Sequence, residues 1–401
     1  MSNNTPQIRF KGFTDAWEQR KISTFSEETY GGGTPKTSEG SFWNGELPWI
    51  QSSDLTEHEI FTVTSKKKIT QAGLKSSAAK LIPANSIAVV TRVGVGKLAF
   101  MPSAYTTSQD FLSLSKLNLD ERFGTYSLYK KLQKESKFTQ GTSIKGITRN
   151  ELLNKIILAP ASESEQAAIG NFFHMLDQAI TLQQRKLEAL QKLKQGYLQQ
   201  MFPQEGEAAP RVRFAGFDEP WEVRKLSEFL TESRILGTTG LEAKKLTVKL
   251  WGKGIVSKDS IFEGSANTSY YMRRAGQIMY GKLDFLNAAF GIVPNDLDGY
   301  ESTLDAPSFD VSLDANAKFL LEVFLQRNFY EFLGNMANGS RRAKRINQRD
   351  FLAMSISVPS LSEQTAISNF LHALDNQIAC QADRMKCLQV LKRGYLQEML
   401  A

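Results

Sequence analysis

The chain contains two copies of one sequence pattern, and this repeat restricts the architectures that its 401 residues can adopt. The segments 6–25 and 210–229 are identical at eleven of twenty positions. The segments 165–201 and 363–399 are identical at twenty of 37 positions. The two offsets are 204 and 198 residues, so the chain is a tandem duplication of about 200 residues. We therefore predict two domains of the same class, related by an internal pseudo-twofold repeat.

Between the matched segments the two copies differ. The interiors, 26–140 and 230–338, share no comparable identity, although the segments on either side have been kept. If packing alone constrained the chain, all parts would diverge to a similar extent. A shared frame that carries two different recognition surfaces explains the pattern better. A mixed α/β (α+β) fold is predicted from strand-like apolar runs at 86–91 and 277–280 and from helical spacing at 122–135 and 317–333.

The last part of each copy predicts a long coiled-coil helix. Apolar residues alternate there in steps of four and three, which is a heptad seam. Pro160 and Pro359 precede the helices, and Ser162 or Ser360 is the predicted N-cap. If the two helices pair antiparallel, we expect the matched polar residues of the seam, Gln183 and Gln381, to meet. The predicted pairing residues are Ile169, Phe173, Leu176, Ile180, Gln183, Leu187 and Leu190 in the first helix, and Ile367, Leu371, Leu374, Ile378, Gln381, Met385 and Leu388 in the second.

Composition excludes several classes of protein. Two cysteines rule out a disulfide scaffold, and three histidines leave little scope for metal binding or acid–base catalysis. No apolar run approaches the roughly 20 residues that span a bilayer, and the N-terminus lacks a signal-peptide pattern. We therefore expect a cytoplasmic protein that does not contact membranes. The chain has no complete nucleotide-binding or methyltransferase motif, so we predict that it is not an enzyme and holds no metal.

Basic charge is concentrated in the first copy. Residues 1–160 contain 21 basic and 14 acidic residues, whereas residues 205–360 contain 20 of each. The charges of the second copy are segregated, because 284–314 holds seven acidic residues and no basic one. The segment 341–345 then holds four basic residues after a Gly-Ser turn. Such a cluster suits contacts with phosphate or guanine.

The duplicated frame and its motifs resemble one family, the specificity (S) subunit of type I restriction–modification enzymes, also called HsdS. The resemblance covers nearly the whole chain. In the second copy YGKL at 280–283 stands in place of TRVG, so that copy should read a different sequence. The motifs that carry the resemblance are RFxGFxxxWE at 9–18 and 213–222, TRVG at 91–94, QDF at 109–111, GTS at 141–143, and the helix starts SExEQ and SEQ after the two prolines.

This resemblance implies a sequence-specific DNA-binding subunit with no catalytic activity of its own. Each globular region would be a target-recognition domain that reads one half of a split double-stranded DNA site, and two antiparallel helices would separate the two domains. Two methyltransferase (M) and two restriction/translocase (R) subunits would assemble on the chain, for adenine methylation and restriction. S-adenosylmethionine, ATP and Mg²⁺ would belong to those partners, and this chain would hold no cofactor. The implied domains are an N-terminal target-recognition domain at 1–160, a central spacer helix at 161–203, a C-terminal target-recognition domain at 204–359 and a C-terminal spacer helix at 360–401.

Arginine, lysine and glutamine are the side chains that commonly pair with bases in the major groove. Each is equally able to contact phosphate, which positions a protein without specifying a sequence. An alternative reading is a coiled-coil scaffold or adaptor whose globular domains bind protein partners. The candidate DNA-binding residues are Arg92, Lys97, Gln109, Ser143 and Lys145 in the first copy, and Arg273, Arg274, Lys282, Arg341, Arg342, Lys344 and Arg345 in the second.

Overall fold

The chain forms two compact units. Unit 1 comprises residues 1–186 and 381–401, and unit 2 comprises residues 187–380. The division falls inside the two long helices. Each unit therefore contains one interior, the start of the long helix that follows it and the end of the other long helix. The computed structural model describes residues 5–138, 146–204, 206–258, 265, 267–336 and 345–400.

Unit 1 has the mixed α/β composition that the sequence predicts. Its central sheet has the strand order β2-β8-β5-β6, in which all neighbours are antiparallel, and a smaller sheet has the order β4-β3-β7. The strands are β1 (Glu18–Lys21), β2 (Ser26–Gly31), β3 (Trp43–Ile50), β4 (Lys67–Ile69), β5 (Ser86–Val90), β6 (Leu98–Met101), β7 (Thr106–Thr107), β8 (Phe111–Leu117) and β9 (Ile156–Ala159). The helices are α1 (Gln71–Lys75), α2 (Glu121–Phe138), α3 (Arg149–Asn154) and the start of α4 (Glu163–Gln200).

Unit 2 has a central sheet of the order β11-β19-β16-β17, a second sheet of the order β12-β15-β18 and a separate hairpin of β13 and β14. The strands are β10 (Glu222–Lys225), β11 (Leu230–Ser233), β12 (Leu236–Thr239), β13 (Leu246–Val248), β14 (Ile255–Ser257), β15 (Ser269–Met272), β16 (Ile278–Tyr280), β17 (Phe290–Ile292), β18 (Glu301–Ser302), β19 (Ser308–Val311) and β20 (Ser355–Val358). The helices are α5 (Ala317–Phe324), α6 (Arg327–Met336), α7 (Gln348–Ala353) and the start of α8 (Leu361–Met399).

The two interiors share their central sheet although their sequences cannot be aligned by eye. The central sheet has the same strand order in both units, with β2, β8, β5 and β6 of unit 1 in the places of β11, β19, β16 and β17 of unit 2. Strand β5 therefore corresponds to β16. Every residue of both strands is buried, as their short apolar runs predict. A buried strand requires apolar side chains of suitable volume and no particular sequence, so the identity was lost while the sheet was kept. The smaller sheets differ in strand order, so the divergence of the interiors is also a divergence of structure.

The predicted interior helices are present, with one difference. The helical pattern at 122–135 lies within α2, whose start is capped by Asp120 Oδ1, which accepts from the Phe123 amide at 2.8 Å. The pattern at 317–333 is divided between α5 and α6, because residues 325 and 326 form a turn. Asn316 caps α5 by accepting from two backbone amides.

One contact is repeated in the two units and explains why the flanking segments have kept their identity. The Arg9 guanidinium forms two parallel hydrogen bonds with the Glu165 carboxylate, at 2.6 and 2.8 Å. Arg213 forms the same pair with Glu363, both at 2.8 Å. Both glutamates are 1% exposed. The repeated segments therefore attach each interior to the first turn of its long helix.

The long helices contact each other within each unit. In unit 1, Tyr395 packs on Phe172 and the Lys392 ammonium binds the Asp177 carboxylate. Because the residue number rises in α4 as it falls in α8, the two segments are antiparallel. Unit 2 shows the same direction, since Lys194 binds Asp375 at 2.7 Å and Tyr197 packs on Phe370.

The predicted heptad seam coincides with the buried side of these helices. All fourteen predicted pairing residues are buried or half-buried, and the N-caps Ser162 and Ser360 accept from the amides of Glu165 and Glu363. The Gln381 side-chain amide donates to the Gln183 side-chain oxygen in unit 1, as the matched seam positions predict. A polar pair in an apolar seam fixes the register, because a shifted register leaves both amides without partners.

Candidate nucleic-acid interface

The loops at one end of the central sheet of unit 1 bring together three of the predicted residues. At this end β2 and β5 finish, and β6 and β8 begin. We call the loops 32–34, 91–97 and 108–110, together with residues 146–149, end surface 1. Arg92 and Lys97 lie in the β5–β6 loop, and Gln109 lies directly before β8. Residues that are 17 positions apart in sequence thus meet because their strands are neighbours in the sheet.

The β5–β6 loop is fixed at both of its ends. The Lys97 carbonyl accepts from the Val90 amide at 3.0 Å, and Gly94, with φ +91°, supplies the turn. Thr91 is tied to the neighbouring loop, since its amide donates to the Asp110 carbonyl at 2.7 Å. The Arg92 side chain is exposed. A loop that is hydrogen-bonded at both ends therefore carries an exposed arginine.

The Lys97 ammonium is less accessible for DNA contact than its position in the sequence predicts. The side chain is half-buried, and its ammonium donates to the backbone carbonyls of Leu55 at 2.9 Å and Ser52 at 3.5 Å. These bonds hold the 52–55 turn against the β5–β6 loop. In this conformation Lys97 supports the loop that carries Arg92.

Gln109 is exposed and oriented by a neighbour. Thr34 Oγ1 donates to Gln109 Oε1 at 2.5 Å, and this hydrogen bond does not use the side-chain amide N–H groups. Glutamine in this arrangement can donate to a base acceptor. The carbonyl oxygen is already occupied by Thr34.

The corresponding end of unit 2 also carries basic residues. There β11 and β16 finish, and β17 and β19 begin. We call Arg234, the loops 281–289 and 303–307, and Arg345 end surface 2. Arg345 lies 3.6 Å from the Asp305 carboxylate and its side chain is 57% exposed. Burial lowers the pKa of Lys282, and the nearby carboxylate of Asp305 opposes this shift.

The two end surfaces are built alike at one further point. In unit 1 the Ile147 amide donates to the carbonyl of Thr91, directly after β5, at 2.7 Å. In unit 2 the Ile346 amide donates to the carbonyl of Lys282, shortly after β16, at 3.4 Å. In unit 1, therefore, the segment that leads to β9 passes beside the end of β5. In unit 2 the segment that leads to β20 passes beside the end of β16 in the same way.

Arg273 has a structural role and is withdrawn from the predicted interface. It is 0% exposed, and its guanidinium donates to the hydroxyls of Ser302 and Ser308, each at 2.7 Å. It also donates to the Ser233 carbonyl at 3.0 Å. Burial lowers the pKa of Arg273 to about 10. A guanidinium enclosed in this way has no path to a base or a phosphate, and the sequence contains no sign of the enclosure.

Arg274 lies at the other end of β16 from Lys282. It precedes the strand, is 51% exposed and pairs with Asp298 at 3.3 Å. The structure therefore does not bring Arg274 together with Lys282 and Arg345. The predictions for Ser143, Lys145, Arg341, Arg342 and Lys344 lie outside the described residues.

Two arginines that the sequence reasoning missed lie at the end surfaces. Arg149 is exposed in unit 1 and donates to Thr29 Oγ1 at 2.5 Å. Arg234 is 59% exposed in unit 2 and pairs with Glu232 at 2.9 Å. Arg234 directly follows the end of β11, and Arg149 lies four residues after the predicted Lys145. Only the strand order of the sheets indicates that these arginines lie at the same sheet ends as Arg92 and Lys282.

The acidic segment of unit 2 is largely used within the unit. Glu301 is buried and accepts from the amide and hydroxyl of Thr238. Asp310 accepts from Gln277 at 2.7 Å. With Asp298 and Asp305 already paired to arginines, the segment contributes less free negative charge than its composition indicates.

Both units expose basic or amide side chains at one end of the central sheet, and such side chains are the kind that contact nucleic acids. The family model for the type I restriction modification DNA specificity domain matches residues 14–192 and 312–388. The chain belongs to this family, whose members confer DNA specificity and are not the catalytic subunits.

Two curated relatives carry the same description. The chain is 25% identical over 226 residues to the type I restriction enzyme MjaIX specificity subunit of Methanocaldococcus jannaschii, covering 53% of this chain and 51% of that protein. It is 43% identical over 67 residues, 16% of each chain, to the type I restriction enzyme EcoR124I/EcoR124II specificity subunit of Escherichia coli. The matches thus span about half of the first relative and about a sixth of the second.

Solved structures share the fold. The S subunit of a type I restriction-modification system from M. genitalium superposes with a TM-score of 0.61 over 99% of both chains, at 15% identity. A chain from a structure of the type I R-M system superposes with a TM-score of 0.55 over 96% of this chain and 97% of that chain, at 16% identity. At such identities the likeness concerns the fold alone.

Within the described residues, no three or more His, Cys, Asp and Glu side chains are grouped so that they could hold a metal ion. None of the helices in the described ranges combines the length and apolar character that a membrane span requires.

Proposed function

We propose that the chain recognises a split double-stranded DNA site, with one half-site read by each unit. The two end surfaces support this proposal, because the same end of the same sheet carries basic or amide side chains in both units. Arg92, Gln109 and Arg149 would act in unit 1, and Arg234, Lys282 and Arg345 in unit 2. The two sets differ in residue type, so the two half-sites would differ in sequence.

The readers would correspond to residues 1–160 and 204–359, and the spacer helices to 161–203 and 360–401. Two methyltransferase subunits and two restriction/translocase subunits would assemble on this chain. They would bind S-adenosylmethionine, ATP and Mg²⁺ and carry out adenine methylation and restriction. In this arrangement the present chain contributes sequence selection and its partners contribute chemistry.

The net charge of the chain limits its affinity for DNA in the absence of partner subunits. Its net charge is +7, which is modest for a protein that spans two half-sites. Phosphate contacts supply most of the non-specific affinity for DNA, and this affinity falls steeply with salt. We therefore expect the isolated chain to bind duplex DNA weakly and only at low salt, with partners adding to the footprint.

Unit 2 offers a matched pair of arginines that tests the site. Arg345 and Arg274 are both about half exposed, and each pairs with one aspartate at more than 3 Å. Arg345 lies on end surface 2, whereas Arg274 lies at the opposite end of β16. We expect Arg345→Ala to weaken the binding of the chain to its DNA recognition sequence by about 1–3 kcal/mol if the guanidinium reads a guanine. Arg274→Ala should leave this binding unchanged.

The measurement is DNA affinity by titration, on a duplex whose sequence comes from methylation-sensitive sequencing of the host genome. A split adenine motif in that genome is the expected result. Equal losses for the two arginine variants would place the interface elsewhere. Absence of any split motif, together with binding that does not depend on salt, would favour the protein-binding adaptor.

A further inference from the structure

The turn between β13 and β14 presents a tryptophan to solvent. The two strands pair in register from Leu246–Ser257 to Val248–Ile255, and the Lys249 amide closes the turn by donating to the Gly254 carbonyl at 2.9 Å. Trp251 lies at the tip and is 57% exposed. By contrast, Trp17, Trp49 and Trp221 are at most 6% exposed. Trp251 is therefore far more exposed than these three tryptophans.

The backbone of Trp251 is strained as well. Its φ is +60°, a left-handed conformation that bulky L-residues rarely adopt. Glycine or asparagine would fit such a position at a lower cost in free energy. An exposed tryptophan on a strained backbone contributes little to stability, so it is a candidate for a binding function.

The tip is rigidly attached to end surface 2. The Trp251 amide donates to the Asn287 carbonyl at 2.8 Å, and the Gly252 amide donates to the Ala288 carbonyl at 2.9 Å. Asn287 and Ala288 belong to the β16–β17 loop, which begins beside Lys282. The indole is therefore presented at the same end of the sheet as Lys282.

The charge around the tryptophan indicates the kind of partner. Residues 243–258 contain five lysines and no acidic residue. Lys249 and Lys253, on either side of Trp251, are exposed. An apolar side chain between two cations complements a polyanion whose phosphates flank an apolar base or sugar edge. A purely apolar protein groove would not require the lysines.

We propose that the 249–254 turn is a DNA-contacting finger of unit 2, in which Trp251 packs as an apolar wedge against the base or sugar edge of the duplex and Lys249 and Lys253 contact phosphates. This inference rests on the proposed function and extends it beyond the bases read at end surface 2. The described part of unit 1 has a differently ordered second sheet, β4-β3-β7. Because the finger belongs to unit 2, it would contact the half-site that unit 2 reads.

Three variants of the full chain test the finger, with a mixed-sequence DNA duplex at low salt as the probe. Trp251→Gly removes the indole and relieves the φ strain, so folding should be kept, and we expect DNA affinity to fall about tenfold. Trp251→Phe keeps a wedge and should retain most of the affinity. Leu313→Ala is the control, because Leu313 is 94% exposed and follows β19 at the end away from end surface 2.

Two further readouts separate a DNA contact from a general effect. Replacing both Lys249 and Lys253 by alanine should reduce the slope of log affinity against log salt by about 2, since each phosphate contact contributes about 0.9. Acrylamide should quench the exposed Trp251 emission in the free chain, and DNA should protect it. The Trp251→Phe variant identifies that component of the emission.

The outcomes are distinct. Unaltered affinity of Trp251→Gly, with emission that DNA does not protect, would overturn the finger and leave the proposed function standing. Protection of the indole by a protein partner without DNA would overturn it in favour of a protein contact. If the unaltered chain itself shows no salt-dependent binding to the duplex, the proposed function fails and the finger fails with it.

Discussion

At the scale of single residues, the arginine–glutamate pairs are the clearest common feature of the two units. Arg9 and Arg213 each use two guanidinium nitrogens on a carboxylate that is almost fully buried. The hydrogen bond to Glu165 raises the pKa of Arg9, so the guanidinium stays charged. Removing one partner from such a pair leaves a charge enclosed without compensation, which is costly.

We expect Arg9→Ala to destabilise unit 1 by about 3 kcal/mol, because Glu165 would remain buried and lose its bidentate partner. Hydrogen exchange of the β1 and β9 amides is the measurement, since it reports on unit 1 locally. The β10 and β20 amides of unit 2 should be unaffected. Arg213→Ala is the reciprocal control and should reverse the pattern; faster exchange in both strand pairs with either variant would contradict the local role.

At the scale of secondary-structure elements, the two long helices contain matched ion pairs with different third partners. Lys392 binds Asp177 in unit 1, where the Tyr126 hydroxyl also donates to Asp177 at 2.5 Å. Lys194 binds Asp375 in unit 2, and Glu322 of α5 lies 3.6 Å from Lys194. A tyrosine of one interior is thus replaced by a carboxylate in the other, at the same place against the helices.

Glu322 predicts a pH dependence that only unit 2 should show. Burial raises the pKa of Glu322, and the nearby Lys194 only partly opposes this shift. Its contribution to stability is therefore fully present below its ordinary value of 4.5 and is lost as the pH rises through the higher pKa of the folded state. Glu322→Gln should remove this loss and raise the stability of unit 2 at neutral pH.

Urea unfolding at mildly acidic and at neutral pH measures this effect. Glu331→Gln, an exposed carboxylate on α6 of the same unit, is the control and should leave the pH dependence of stability as it is. A decrease in stability for Glu322→Gln at neutral pH would show instead that the ion pair with Lys194 outweighs the burial of the carboxylate.

At the scale of the whole molecule, the duplication has produced two units that are each assembled from both halves of the chain. The core of unit 1 includes Leu396 and Met399 from the end of α8, and the core of unit 2 includes Met201 and Phe202 from the end of α4. Each unit therefore depends on the partner helix for part of its apolar core. The long helices are therefore part of both compact units.

The proposed spacer function predicts the effect of a helix insertion. Four residues inserted after Gln183 add about 6 Å at 1.5 Å per residue and turn the helix about 40° beyond one full turn, which a coiled coil can absorb. DNA rises about 3.4 Å per base pair. We expect methylation of the same two half-sites with a gap longer by one or two base pairs.

Sequencing of methylated DNA before and after the insertion measures the gap. Full activity with an unchanged gap would show that the helices do not determine the spacing. A change in the bases of either half-site would show that the insertion also disturbs a reader. Four alanines inserted between α4 and β10 are the matched control, since they lengthen the chain without lengthening the helix.

The sequence alone determined the features that depend on local periodicity and on internal identity. The duplication follows from the identity of the repeated segments, and the two long helices with their seam follow from spacings of three and four residues. The Gln183–Gln381 contact follows from matched seam positions. The strands around 86–91 and 277–280 follow from short apolar runs between turn residues. The resemblance to the specificity-subunit family rested on the same repeated motifs, and the family match agrees with it.

Only the tertiary structure decided which distant residues share a surface. Strand order is set by non-local pairing, so Arg92 and Gln109 meet because β5 and β8 are neighbours in the sheet. The same cause encloses Arg273 among Ser233, Ser302 and Ser308, and no local pattern distinguishes it from the exposed Arg274. The shared sheet of the two interiors was also hidden, because burial selects for apolar volume and leaves the order of the residues free.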